Sequence, residues 1–212
     1  MYSSLALAAS DDADRDEMRR AMLRHQPPDN IAAGALPGVH VLVRTDDVAV
    51  VLHAARCYAE GLALEMRIAL RASRSGFAEH HETWEAVQQM WVGVELADGT
   101  RLVSGPLGHG VDDPADPSAF TLQSSGGGGG GRTFAQTYWL TPAPTEGDVL
   151  VVVALPGLGL PESSVVLPGA ALAAARAEAV ELWPWEPDAE PEDGPPTEVE
   201  VPAGGWFAET AG

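Results

Sequence analysis

The sequence predicts a mostly β protein: an antiparallel β-sandwich closed by one C-terminal α-helix and flanked by disordered tails. Three observations carry this expectation. Residues 39–71 alternate apolar and polar side chains with period two. Turn signals recur at short, sandwich-like intervals along the chain. Only one late segment, Pro168–Trp183, has a convincing helical composition: it is Ala-rich, with Pro at its start and Pro184 as its stop. A jelly-roll barrel is the nearest alternative architecture, and an alternating βα enzyme fold lacks support.

The elements follow in order. Asp11–Gln26 reads as a short helix, acidic in its first turn and stopped by Pro27-Pro28; Met18, Met22 and Leu23 give it a thin apolar stripe. Val39–Arg44, Val48–Tyr58 and Leu62–Arg71 read as a three-stranded meander. In the third strand Leu62, Leu64, Met66, Ile68 and Leu70 alternate with Ala63, Glu65, Arg67, Ala69 and Arg71. Ala72–Gln89 is polar and irregular, with one helical turn around Glu82–Gln88. Trp91–Leu96 and Arg101–Val103 flank Ala97-Asp98-Gly99-Thr100, a hairpin signal in which Asp-Gly supplies positive φ. Strands are expected at Ala119–Gln123 and Thr133–Leu140, separated by the six glycines Gly126–Gly131. Asp148–Leu155 is apolar almost throughout, as a strand buried on both sides would be, and Ser163–Leu167 reads as a last short strand. Leu172, Ala175, Ala179 and Leu182 give the closing helix a narrow face suited to lying on a sheet. The expected organisation is an N-terminal tail with a short helix over 1–35, the sandwich with its helix over 36–184, and an acidic disordered tail over 185–212.

Composition excludes several chemistries. The chain has 212 residues, 31 acids, 12 basic residues and a net charge of −19. All the basic residues are arginine, so Schiff-base, phosphate-loop and general-base lysines are ruled out. A chain this acidic repels nucleic acid and anionic lipid. Cys57 is the sole cysteine, in an apolar stretch, and reads as an inert buried thiol. The N-terminus lacks the basic region of a signal peptide and no apolar run approaches a membrane span, so a cytoplasmic protein is expected.

The six glycines followed by Arg132 and Thr133 have phosphate-loop spacing, but a phosphate loop must open a helix. Here β-branched and aromatic residues follow, which is strand material. The glycines therefore read as a flexible hairpin loop, or as a backbone nest in which Arg132 meets an anion. If the first turn pairs Arg44 with Ala49, His40 falls opposite His53. If Gly61 takes a left-handed conformation in a three-residue loop, Tyr58 pairs with Leu62, Leu52 with Ile68 and Val50 with Leu70, and Val41 and Val43 join the aliphatic face. His53 then faces Arg67, whose charge disfavours a cation, so no metal is assigned. His80-His81-Glu82 lacks zinc-helix spacing. Asp112, Asp113 and Asp116 are interrupted by Pro114 and Pro117 and do not form a calcium loop. No nucleophile elbow is present, and no carboxylate pair is singled out.

On the Thr133–Leu140 strand, Phe134, Gln136, Tyr138 and Leu140 share one face; Ala135, Thr137 and Trp139 share the other. If the Tyr138 face is core, Gln136 needs a buried partner. If the Trp139 face lies outside, it is an aromatic platform beside the glycines.

The glycine run with Arg132, Phe134, Gln136, Tyr138-Trp139 and the proline-rich turn to Pro144 resembles an uncharacterised family of small acidic proteins from high-GC bacteria. Tyr58-Ala59-Glu60-Gly61, Val94–Gly99 and Ala179–Pro184 agree with it, in the same order. The resemblance spans roughly 36–184 and implies domain limits, with no activity, cofactor or catalytic residue.

The function expected is a non-enzymatic binding or protein-interaction module. Glu186–Glu200 carries seven acids, four prolines and no base, and Trp206-Phe207 follows as a candidate docking pair that an acidic segment would steer toward a basic partner. The alternative is a small-molecule-binding protein or hydrolase with its site around Arg132, Gln136, Tyr138 and Trp139. No cofactor is expected. Eight of the 31 acids lie in 186–212, leaving 23 acids against 12 arginines in the rest of the chain.

Overall fold

The structure, a computed structural model, describes residues 2–72, 77–106, 116 and 118–187. It is mostly β, with two antiparallel sheets packed face to face, as the alternation predicts. Strands β1 (Ile31–Ala32), β2 (Gly34–Leu36), β3 (His40–Arg44), β4 (Val48–Cys57) and β5 (Leu62–Leu70) follow an N-terminal helix α1 (Tyr2–His25). Helix α2 (Phe77–Gln88) precedes the hairpin β6 (Trp91–Glu95) and β7 (Arg101–Ser104). Then come β8 (Thr121–Gly130), β9 (Thr133–Thr141), β10 (Val149–Leu155), β11 (Leu160–Leu167), α3 (Gly169–Ala177) and β12 (Val180–Glu181). The large sheet has the order β2-β4-β5-β9-β8, with β3 also paired to β4; the small sheet is β11-β10-β6-β7.

The core lies between them. From the large sheet come Val50, Leu52, Leu64, Met66, Ile68, Phe134, Tyr138 and Leu140; from the small sheet Val92, Val94, Val149, Val151 and Val153. Each large side chain so buried contributes about 2 kcal/mol. β5 is the centre of the large sheet, paired to β4 on one side and β9 on the other. Its outward residue Ala63 is also fully buried, under a second cluster formed by Tyr58 and Trp139, whose rings meet edge to face at 5.5 Å.

Several expectations are corrected. The first turn does pair Arg44 with Ala49, but Leu42 is an extra residue on β3, so Val41 faces Val51 and His40 faces Leu52. His40 and His53 are therefore not opposite one another. The bulge also turns Leu42 into the core and leaves Val41 60% exposed. His53 is itself an extra residue on β4, so Leu52 faces Met66 and Val50 faces Ile68. Near the second turn Cys57, not Tyr58, pairs with Leu62, and the Tyr58 N–H donates to Gly61 O. Gly61 is not left-handed; it is small because a Cβ there would meet the Trp139 ring and Leu140 O.

The glycine run is not a loop. Through Gly130 it is the edge strand β8, in register with β9, and only Gly131, at φ 64°, occupies the turn. Two features of backbone approach favour glycine there: a Cβ at Gly127 would meet Gln136 Oε1 and one at Gly129 would meet Phe134. β10 is buried on one face only; Leu150, Val152 and Ala154 are half-buried. The region before β6 forms three turns of α2, with Trp84 against Phe134 at 5.6 Å.

The closing helix ends at Ala177, well short of Trp183, because 180–181 find strand partners at 31–32. Leu182 N–H donates to Asn30 O, and Asn30 Nδ2 donates to Trp183 O. Leu172 and Ala175 do form its buried face. Arg176 of α3 donates to Tyr58 O at 3.1 Å and Pro144 O at 2.6 Å, tying the helix to two turns of the large sheet. The first helix is longer than its apolar stripe suggests. It docks by its C-terminal end, where Trp139 Nε1 donates to Leu23 O at 2.7 Å and Arg19 lies 3.5 Å from Glu60.

Gly61→Ala should lower stability by about 2 kcal/mol through overpacking against Trp139. Gly128→Ala, where a Cβ meets nothing within 4 Å, should change it by less than about 0.5 kcal/mol. Urea denaturation of both variants checks this, and equal midpoints would contradict the packing described.

Candidate functional site

The β8–β9 hairpin distributes the four expected binding residues over three environments. Arg132 stands exposed at its tip, its guanidinium donating to Arg71 O at 3.5 Å while its own carbonyl accepts from Leu70 N–H at 2.8 Å. Trp139 is on the outer face of the sheet but fully buried beneath the end of α1, so it is no aromatic platform. Gln136 and Tyr138 point between the sheets. Two of the four come together, and Arg132 and Trp139 do not join them.

Gln136 and Tyr138 line a cavity of about 220 Å³ at one opening of the sandwich, with Ser124, Val87, Gln88, Met90 and Gly105. β8 supplies Ser124 opposite Tyr138, and α2 supplies Val87 and Gln88 from its last turn. The interior face of β9 requires a partner for Gln136, and Ser124 is that partner: Gln136 Nε2 donates to Ser124 Oγ. Tyr138 is 4% exposed, and no hydrogen bond among the described residues engages its hydroxyl. Burial pushes the Tyr138 phenol well above its usual range, so it remains a neutral donor.

A second feature was not singled out from the sequence. The outward side chains of the small sheet are Trp91, Gly93 and Glu95 on β6, Arg101 and Val103 on β7, Leu150, Val152 and Ala154 on β10, and Glu162, Ser164 and Val166 on β11. Trp91, Val103 and Val166 are 43%, 45% and 49% exposed. Gly93 sits between Val103 and Val152 in the register, and a Cβ there would make only ordinary contacts, at 3.6 Å or more. Its missing side chain floors a groove of about 550 Å³. At one edge Arg101 Nε and Glu95 Oε2 pair at 2.6 Å. The available signal was Asp148–Leu155: a strand apolar on both faces in a two-layer sandwich leaves one apolar face to be accounted for.

The remaining candidates separate. Cys57 is buried, and burial pushes its thiol up, as expected of an inert cysteine. His80-His81-Glu82 lies on α2. Among the described residues no group of three or more His, Cys, Asp and Glu is placed to hold a metal ion. Asp112 and Asp113, the acidic tail beyond residue 187, Trp206 and Phe207 lie outside the described residues. No described helix is long and apolar enough to cross a membrane. Comparison with known proteins finds no family, no curated protein and no solved structure that matches this chain.

The phenols make a pH prediction. Tyr138 and Tyr58 both titrate above the unfolded value of about 10, each chiefly because burial disfavours the phenolate. Their stabilising contribution is complete below that pH and is lost as pH rises above it, because the unfolded chain ionises first. Stability should fall above pH ~10, by up to about 1.4 kcal/mol per pH unit for Tyr138. Tyr138→Phe should make that fall shallower in denaturation curves across pH 9–11, and an unchanged slope would contradict the burial described.

Proposed function

We propose that this chain is a non-enzymatic protein-interaction module of the cytoplasm whose contact surface is the outer face of the small sheet. The observation that supports this reading is the exposure of Trp91, Val103 and Val166 on one apolar face. Apolar surface gathered on one face, around a groove, is the usual signature of a partner site. The partner is a protein with an apolar projection inside a basic surround. The groove accepts the first, and the charge of −19 steers the second. Nucleic acid and anionic membranes carry the wrong sign.

Area sets the strength of the contact. Four strands about 4.8 Å apart and about 20 Å long present roughly 400 Å², half of what each side of a standard interface buries. A second point of attachment is therefore needed for tight binding. The acidic segment with Trp206-Phe207 supplies it, its aromatics as anchors and its carboxylates facing the partner's basic groups. The resemblance to small acidic proteins of high-GC bacteria extends the same reading to that family.

The expected result is that the full chain captures a basic protein from lysate. Val103→Asp should abolish that capture without lowering the melting temperature by more than a few degrees. Deletion of Glu186–Gly212 should weaken it, and Arg132→Ala should leave it intact. Capture that is indifferent to Val103→Asp would refute the assignment of the surface.

A further inference from the structure

The cavity between the sheets has a chemistry distinct from the outer groove, and it goes beyond the interaction surface. Its polar lining consists of two side-chain amides, Gln88 and Gln136, and two hydroxyls, Ser124 and Tyr138; its apolar lining is Val87 and Met90. None of these side chains is charged at neutral pH. A charged ligand would lose its hydration here without gaining a counter-charge from the described lining, so that lining selects a neutral molecule.

The hydrogen-bond inventory narrows the class further. Gln136 spends one N–H on Ser124 Oγ, and its carbonyl oxygen remains an acceptor. The Tyr138 hydroxyl is an unused donor with no partner among the described residues, in a side chain only 4% exposed. A ligand that satisfies both must offer an acceptor to Tyr138 and a donor to Gln136. A carboxamide does so with adjacent atoms. Val87 and Met90 then face the rest of the ligand, and methionine adapts to an apolar group of varied shape. The cavity, about 220 Å³, lies below the range of drug-sized sites, which limits the ligand to about one ring or a short chain beyond the amide. The local backbone also suits this site: any side chain at Gly127 would collide with the Gln136 amide and expel it from its position.

We infer that this inter-sheet cavity is a binding site for a small uncharged carboxamide, held by Tyr138 and Gln136 with its apolar part on Val87 and Met90.

The test uses the full chain, with benzamide and sodium benzoate as matched neutral and charged probes, followed by titration calorimetry and thermal shift. Benzamide should bind saturably and benzoate at least about tenfold more weakly. Tyr138→Phe should weaken benzamide about fivefold, the weight of one neutral hydrogen bond. In the absence of probe it should leave the melting temperature unchanged or raised, since the hydroxyl has no partner to lose. Gln136→Ala provides a second variant with the same expected loss of binding. Val103→Asp should bind benzamide like the parent chain, which separates this site from the interaction surface. Absence of saturable benzamide binding, equal binding of benzoate, or full binding by both Tyr138→Phe and Gln136→Ala would overturn the inference.

Discussion

The central place of β5, paired on both edges and with one whole face buried against the small sheet, is the constraint on which the other features depend. Its inward residues Leu62, Leu64, Met66 and Ile68 meet the small sheet, while outward Ala63 lies beneath Trp139 and Tyr58. A central strand with one buried apolar face can shift register only by exposing that face and burying the other, which carries Glu65 and exposed Arg67, so its pairing with β4 and β9 is strongly specified. The neighbours inherit their orientation from it. Because Leu64 faces Tyr138 and Ala63 faces Trp139, the tyrosine must enter the interior and the tryptophan must go outward. Trp139 then needs cover and a partner for its indole N–H, and the end of α1 supplies both.

The same constraint explains the glycine strand. β9 is tied to β5 along its length, so β8 must follow it at the sheet edge. Gln136 and Phe134 crowd that edge, and side chains at positions 127 and 129 would collide with them. The glycines keep the edge paired where bulkier residues would push it away. An exposed edge invites pairing with other chains, and a glycine edge offers little side-chain area to stabilise such a contact. On the opposite side of the molecule, no helix among the described residues covers the small sheet. Its outer face carries Trp91 and Val103 beside the Gly93 gap, with Glu95, Arg101 and Glu162 toward its edges, and this apolar centre is the basis of the functional reading.

Most strands were legible because their apolar residues recur every second position and their turns carry Asp-Gly or Gly signals. β5, β6 and the Asp98-Gly99 turn follow directly from that pattern; Gly99 has φ 86°, and hydrogen bonding from Thr100 holds the Asp98 carboxyl below its ordinary range. Bulges are where legibility ended. Leu42 and His53 each insert one residue, and nothing in alternation alone distinguishes a bulged strand from a regular one. That is why a facing histidine pair was expected and is absent. The end of α3 was hidden for a different reason: Ala-rich sequence favours helix, but a strand partner distant in sequence at Ile31–Ala32 outweighs propensity over 180–181. For the site, alternation placed Gln136 and Tyr138 on one face. Their convergence with Gln88 and Ser124 depends on tertiary packing that no local pattern contains.

Amide hydrogen exchange resolved by residue separates a register-setting centre from the sheet edges. If β5 is the centre that fixes the register, its amides and those of β9 facing it should exchange slowest, at the rate of global unfolding. The hydrogen-bonded amides of Thr121–Gly130 should show intermediate protection, as a paired edge does. Exchange of β5 faster than the edge strands, or of 126–130 at the rate of unstructured chain, would contradict the account.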